Sequence, residues 1–151
     1  DATQSISRIL SFYPPHQQQE IRSLLSTALA AIVCLRLVPR ADGRGRVPAA
    51  EVLINTAAVA ENIRSLEKSL NIPDLIADGS ISYGMQSFDQ SLMMWYKKGM
   101  ITYESALFYS SNPSEFALRA AGVTAASDRT FAEIASAQDE PVDLTRDVTP
   151  T

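Results

Sequence analysis

The chain has 151 residues, of which 46% are hydrophobic and 20% are charged, and its formal net charge is -4. This length suits one compact domain, since domains usually take roughly 100–200 residues. An acidic balance is the opposite of the basic surface that binds nucleic acid, so we expect no DNA or RNA partner. A helix-turn-helix DNA binder is disfavoured for the same reason.

The apolar segments are short. The longest apolar stretch, residues 28–35, is far shorter than the roughly 20 residues that cross a bilayer, and we expect a cytoplasmic protein. Within it lies the single cysteine, Cys34, which we interpret as a small buried hydrophobic residue. Because the first residue is Asp1 rather than Met, we expect the chain to continue upstream.

Two helices are predicted at the start of the chain. The first follows the spacing of Ile6, Ile9 and Leu10, with Thr3 as its cap, and ends at Pro14-Pro15. That proline pair also opens a second helix. Its apolar stripe is continuous and consists of Ile21, Leu24, Leu25, Ala28, Leu29, Ile32 and Val33.

A β-hairpin is predicted next. Two β-rich segments, residues 35–38 and 47–54, flank a turn that contains Asp42-Gly43. Pro48 lacks a backbone N–H, so the second strand lies at a sheet edge or starts later.

Further helices are predicted after the hairpin, and each has a capping residue near its start or a glycine near its end. Their approximate ranges are 56–64, 71–79, 87–99, 102–107 and 112–122. The pattern then fades into Ala, Ser, Thr, Asp, Glu and Pro, so we interpret residues 123–151 as an acidic, disordered tail and 1–122 as the folded unit. The predicted fold is mostly α, with at least six helices around one hairpin.

Motifs for catalysis are missing from the sequence. No Gly-x-x-x-x-Gly-Lys-Ser/Thr segment is present to wrap phosphates, and the lone His16 and Cys34 give no metal or Ser-His-Asp arrangement. His16 is interpreted as an exposed residue of a first helical turn. Four arginines concentrate near the hairpin: Arg36, Arg40, Arg44 and Arg46. They suit either a basic cluster that recognises phosphate or carboxylate, on a phosphate-binding side or at a subunit interface, or a solvated turn.

Several segments, in order, resemble the type IV pilus retraction ATPases of the PilT/PilU family, within the secretion ATPase superfamily. The residues 1–19 resemble the stretch after the family's histidine box, and Arg36-Leu37-Val38-Pro39 with residues 43–54 resembles its Arg-Leu-Leu-Pro hairpin. Residues 84–92 and 99–107 are similar to its closing helices. The resemblance covers about residues 1–122.

This resemblance implies a C-terminal portion: the last edge of a RecA-like α/β core plus a helical C-terminal subdomain. The PAS-like domain and the nucleotide-binding motifs, Walker A and Walker B among them, would precede Asp1, so this chain alone should not hydrolyse ATP. The family works as a cytoplasmic homohexamer at the inner membrane, beside the pilus platform protein. It hydrolyses ATP with Mg²⁺ to disassemble the pilus in twitching motility.

The family's retraction motif, Ala-Ile-Arg-Asn-Leu-Ile-Arg-Glu, is met here as Ala58-Val59-Ala60-Glu61-Asn62-Ile63-Arg64-Ser65. Ala58, Ile63 and Arg64 match, Val59 is close, Ala60 replaces an arginine, Asn62 a leucine and Ser65 a glutamate. The spacing predicts a helix with Val59, Ile63 and Leu66 on one apolar side and Arg64 exposed, which suits either plain core packing or the transmission of movement to a partner. Two interpretations remain open: part of a retraction motor, either the retraction ATPase or its accessory paralogue, or a non-enzymatic helical interaction module. Both predict no catalysis by this chain alone.

Overall fold

In the computed structural model, residues 1–65 and 67–122 are described. The predicted tail at 123–151 lies outside these residues. The chain forms helices α1 (Ala2–Ser11) and α2 (Gln18–Ala28), then strands β1 (Ala31–Pro39) and β2 (Arg46–Ile54). The elements that follow are α3 (Ala57–Arg64), a 3-10 helix (Lys68–Asn71), α4 (Ile72–Asp78), α5 (Ser80–Tyr83), α6 (Phe88–Lys97), α7 (Tyr103–Tyr109) and α8 (Pro113–Ala120). The predicted class, mostly α with one hairpin, is confirmed.

Side-chain caps begin most of the longer helices. Ser87 and Gln90 form a reciprocal capping box at α6, and Asn112 accepts the N–H of Glu115 at α8. At α1 the cap is Asp1, whose carboxylate accepts the N–H of Gln4 at 2.8 Å. The prediction of Thr3 as the cap is wrong, because the helix begins at Ala2 and an N-cap residue lies before the first helical residue.

Helix α2 is shorter at both ends than the apolar stripe predicts. It begins at Gln18 instead of at the proline pair, and it ends at Ala28 instead of Val33. Leu29 is already extended, with φ -66° and ψ 132°. The Asn55 amide donates to the carbonyls of Ser26 and Leu29 and so satisfies groups at this helix end. The β-branched residues that follow then pair in β1.

The hairpin is antiparallel, and Leu37 lies opposite Pro48 in its register. The turn keeps the predicted Asp42-Gly43 step, and both Gly43 and Gly45 have positive φ, at 71° and 81°. Left-handed backbone of this kind favours glycine. Pro48 lies within β2 without disturbing the pairing, as predicted for an edge strand.

Two hydrophobic cores share this hairpin. One lies among α1, α2, α3 and α4 and includes Leu53 of β2, and the other lies among α6, α7 and α8 and includes Ala49 of the same strand. Inward-facing residues of β2 alternate with outward-facing ones, as the period of a strand requires. Strand β2 therefore contributes residues to both cores, and α3 packs in the same core as Leu53.

Candidate functional site

Helix α3 carries the segment that resembles the retraction motif. The Thr56 hydroxyl accepts the N–H of Val59 at 3.3 Å and caps the helix, as its sequence predicts. Val59 and Ile63 are fully buried, whereas Ala58 is exposed. The predicted apolar side of α3 is thus confirmed at these two positions, and the residue expected to extend it, Leu66, lies outside the described part of the chain.

The C-terminal end of α3 is fastened to α2 by side-chain hydrogen bonds. The Arg22 guanidinium, which is only 8% exposed, donates to the carbonyl of Ile63 at 3.0 Å. Gln19 donates to the carbonyl of Arg64 at 3.3 Å, and the Arg64 Nε donates to the hydroxyl of Ser26 at 3.2 Å. The bonds from Arg22 and Gln19 satisfy carbonyls that a helix end leaves without internal partners. Helix α3 is consequently held in one orientation on α2.

Charges line the exposed side of α3. The Glu61 carboxylate lies 3.4 Å from Arg64 and 3.3 Å from Lys68. All three side chains are about half exposed, so these ion pairs contribute little to stability. Together with the small side chains of Ala57 and Ala58, they form an exposed surface of charged and small side chains, which we call the α3 face.

Several positions of α3 depart from the family motif, and the structure shows where Ala60 and Asn62 lie. Ala60, which stands where the motif has arginine, is half-buried. Asn62, which stands where the motif has leucine, donates to the carbonyl of Ala58 at 2.8 Å. Its own Oδ1 is buried and accepts no hydrogen bond from another described residue. A buried carbonyl of this kind lowers stability, since it has lost its bond to water.

The four arginines near the hairpin do not form one cluster. Arg36 is half-buried: its guanidinium stacks 3.8 Å above the Phe88 ring and donates to the carbonyl of Tyr109 at 2.6 Å. It therefore joins β1 to α6 and to the end of α7. Because side chains alternate along a strand, Arg36 shares the inner face with Val38, and this alternation is a signal that sequence reasoning had available.

The other three arginines surround the turn. Arg40 pairs with Asp42 at 2.7 Å, and Arg44 and Arg46 are exposed. Hydrogen bonds from the Arg40 side chain and from the Arg44 backbone lower the pKa of Asp42 to about 2, from its usual 3.8. These bonds to Asp42 connect the two sides of the turn. Of the four arginines, Arg44 and Arg46 are exposed to solvent.

A groove of about 660 Å³ lies where α1, α4, α6 and α8 approach β2. Its lining is acidic and includes Asp74, Asp78 and Asp89. Asp89 is already engaged, since its two oxygens accept the N–H groups of Ser111 and Asn112 at 2.7 and 3.1 Å. Within residues 1–65 and 67–122, no group of three or more His, Cys, Asp or Glu is placed to hold a metal.

Other positions foreseen from the sequence lie apart from α3. His16 is exposed in the turn before α2, and Cys34 is half-buried rather than fully buried. In the part of the chain that the structure describes, no helix has the length and hydropathy to span a bilayer. Sequence reasoning missed Arg22 and Asp89, whose partners are remote in sequence. Only the position of Arg22 at the border of the apolar stripe of α2, three residues before Leu25, was visible beforehand.

The arrangement of these helices around the hairpin is found in known ATPases. The crystal structure of the pilus retraction motor PilT with bound ADP matches 75% of this chain and 30% of its own, with a TM-score of 0.60 and 34% identity. The ATPase DotB of Legionella pneumophila matches with a TM-score of 0.59 over 72% of this chain, and at 15% identity this shows the fold alone. The described residues thus have the fold of one part of such an ATPase.

Proteins similar in sequence indicate which kind of ATPase this chain is related to. The type IV pilus ATPase PilU of Pseudomonas aeruginosa is 39% identical over 118 residues, which are 78% of this chain and 30% of that protein. A twitching motility protein of Neisseria gonorrhoeae is 36% identical over 70% of this chain and 28% of its own length. The chain belongs to the PilT/PilU family of type IV pilus ATPases, and it spans about a third or less of the length of the curated relatives it matches. No protein-family model matches it.

Proposed function

We propose that this chain is the C-terminal part of a hexameric type IV pilus retraction motor, which disassembles the pilus by ATP hydrolysis and so drives twitching motility. The observation that carries the proposal is the match to the PilT structure at 34% identity over three quarters of the chain. The P-loop, and with it the binding of ATP and Mg²⁺, would belong to the residues before Asp1, because this chain has no phosphate-wrapping motif.

Within that motor, the α3 face is the surface that acts on another protein. Its bonds to Arg22, Gln19 and Ser26 fix the helix on α2, so a movement of this subdomain would carry the face with it as a rigid body. Glu61 and Arg64 present charge of both signs to a partner. The partner is either an identical subunit of the ring or the platform protein of the inner membrane, on its cytoplasmic side.

The first test is to read the gene upstream of the codon for Asp1. An open frame that encodes Gly-x-x-x-x-Gly-Lys-Ser/Thr is the expected result and supports a motor. A stop codon followed by a start codon would refute the proposal in favour of a free-standing helical interaction module.

The second test places a charge on the α3 face of the full-length protein. Ala58→Glu adds a carboxylate at the second residue of an eight-residue helix, where the helix dipole favours it. Ser114→Glu makes the same change at the second residue of α8, which also has eight residues and where Ser114 is exposed. We expect Ala58→Glu to reduce the twitching zone of a complemented deletion strain at least about threefold. Ser114→Glu should leave it unchanged.

The two variants are compared in ATP hydrolysis as well. Equal hydrolysis with unequal twitching would support a role for the α3 face in transmitting force. Equal twitching by both variants would refute that role, and normal twitching in the deletion strain itself would refute the motor proposal.

A further inference from the structure

The formal charge of the chain is not spread evenly along its sequence. Residues 1–122 contain 11 Lys or Arg and 11 Asp or Glu, whereas residues 123–151 contain two and six. The net charge of -4 therefore belongs entirely to the last 29 residues. Four of those six carboxylates lie within residues 139–147, together with one arginine, and we call these nine residues the acidic segment.

Basic side chains gather where the turn of the hairpin meets the C-terminal end of α6. The N–H of Ala41, in the turn, donates to the carbonyl of Met100 at 2.9 Å and joins the two parts of the chain. Three arginines lie in or beside the turn, and two lysines end α6. We call the five the basic end, and they are Arg40, Arg44, Arg46, Lys97 and Lys98.

The indole of Trp95 connects the two sides of the basic end. Its N–H donates at 2.7 Å to the carbonyl of Pro48, which follows Arg46 by two residues. The ammonium group of Lys98 lies 5.6 Å from the centre of the indole ring, and a cation at this distance is attracted to the ring face. The charges of the hairpin and of α6 therefore lie on one surface.

Little negative charge neutralises this surface. Among residues 39–48 and 95–103, Asp42 is the one acidic residue, and it pairs with Arg40 at 2.7 Å. The next acidic residue along the chain, Glu104, forms no ion pair with the basic end. In the described part of the chain, the other four cations have no carboxylate within 4.0 Å, and all four are exposed. Such a concentration of one sign of charge attracts an anionic group.

We propose that the acidic segment docks on the basic end of its own chain. The charges are complementary, since the segment has a net charge of -3 and four cations of the basic end have no carboxylate partner among the described residues. A tethered segment is present at an effective concentration of the order of mM, which favours it over an anionic partner from solution. While docked, it withholds the basic end from such partners. The inference does not depend on the proposed function.

The length of chain after α8 permits this docking. Near its end, α8 packs through Ala120 on the core that contains Val38 and Val47, the strand residues beside the turn. Residues 123–138 join α8 to the acidic segment and can extend to about 50 Å. Helix α6, with 10 residues, is only about 15 Å long. The segment can therefore reach the basic end from either end of α6.

Cross-linking of the full-length protein with a carbodiimide tests the docking, because this reagent joins a carboxylate to an amine without a spacer. Lys68 and Glu61, whose charged groups are 3.3 Å apart, serve as the internal control. We expect amide bonds from Lys97 or Lys98 to carboxylates of residues 139–147, identified by mass spectrometry of the peptides. Absence of these bonds in a sample where Lys68 and Glu61 are joined would overturn the inference.

A double variant tests whether charge holds the segment. Arg44→Gln with Arg46→Gln removes two exposed charges but keeps both lysines that the reagent uses. We expect the yield of these cross-links to fall at least about threefold, since two exposed ion pairs change an equilibrium by that order. Arg8→Gln, exposed on α1, is the control and should leave the yield unchanged. An equal yield in the double variant and the control would contradict the docking.

The unaltered protein decides if the double variant does not fold. Raising the salt from about 50 to about 500 mM screens exposed charges and should lower the yield, and an unchanged yield would contradict the role of charge. Protein assembled from a mixture of ¹⁵N-labelled and unlabelled copies shows which chain supplies the segment. Joined peptides of one label alone are expected, whereas peptides of mixed label would overturn docking on the same chain.

Discussion

Arg22 is the residue on which the orientation of α3 depends most directly, and Arg22→Met tests this. Methionine retains much of the apolar stem but cannot donate to the carbonyl of Ile63, which now receives a bond at 3.0 Å. A bond from a charged donor contributes roughly 1.5–3 kcal/mol. Since Arg22 is only 8% exposed, water replaces that donor poorly. We expect the free energy of unfolding to fall by about 2 kcal/mol and the melting temperature by roughly 8 °C.

Urea unfolding of the chain, followed by circular dichroism, measures this loss. Arg8→Met is the matched control, because Arg8 is exposed on α1 and surface substitutions usually change stability by no more than about 0.5 kcal/mol. The variant should unfold at a lower urea concentration with an unchanged slope. A midpoint equal to that of Arg8→Met would refute the claim that Arg22 holds α3.

Three further changes test other features. Gly79→Ala places a Cβ 2.8 Å from the Met85 Sδ and from a backbone oxygen, so we expect a loss of about 1–3 kcal/mol in urea unfolding; an unchanged midpoint would show that the site has room. Asn62→Leu removes the buried unpaired carbonyl and should raise the free energy of unfolding by about 1 kcal/mol, whereas a decrease would show that this oxygen has a partner. The lowered pKa of Asp42 stabilises the folded chain at pH values above 3.8, the usual pKa of the group, and this stabilisation is lost as the pH falls from there through about 2. We expect an NMR titration of Asp42 to have a higher midpoint in Arg40→Leu than in the unaltered chain. A midpoint near 3.8 in the unaltered chain would contradict the pairing with Arg40.

Local signals predicted the hairpin and most helices. The Asp42-Gly43 step specifies a turn whatever surrounds it, and Thr56 and Asn112 each cap the helix they were expected to begin. The end of α2 was not predictable in this way. Its apolar positions continue through Ile32, where the spacing of a helix and the alternation of a strand both fit. Pairing with β2, a remote segment, decides between them.

In the candidate site, too, some features follow from the local sequence and others depend on residues remote in sequence. The apolar side of α3 follows from its own sequence, so Val59 and Ile63 were correctly placed inside. Its attachment to α2 depends on Arg22, whose acceptor is 41 residues away, and no spacing rule reaches that far. Arg36 was grouped with surface arginines because four nearby positive charges look alike in sequence. The alternation of the strand, which places Arg36 on the same face as Val38, was the overlooked signal, and the contact with Phe88 shows the inner position directly.

Strand β2 has a mechanical consequence, because Ala49 belongs to one core and Leu53 to the other. About 13 Å of extended chain separates them, and along it the backbone is bonded on both edges, by β1 and by the start of α6. Such a strand does not bend without breaking these bonds, so it acts as a stiff bar between the two halves. We therefore expect a displacement of α6 to reach α3 through this strand, and we expect the two halves to unfold together.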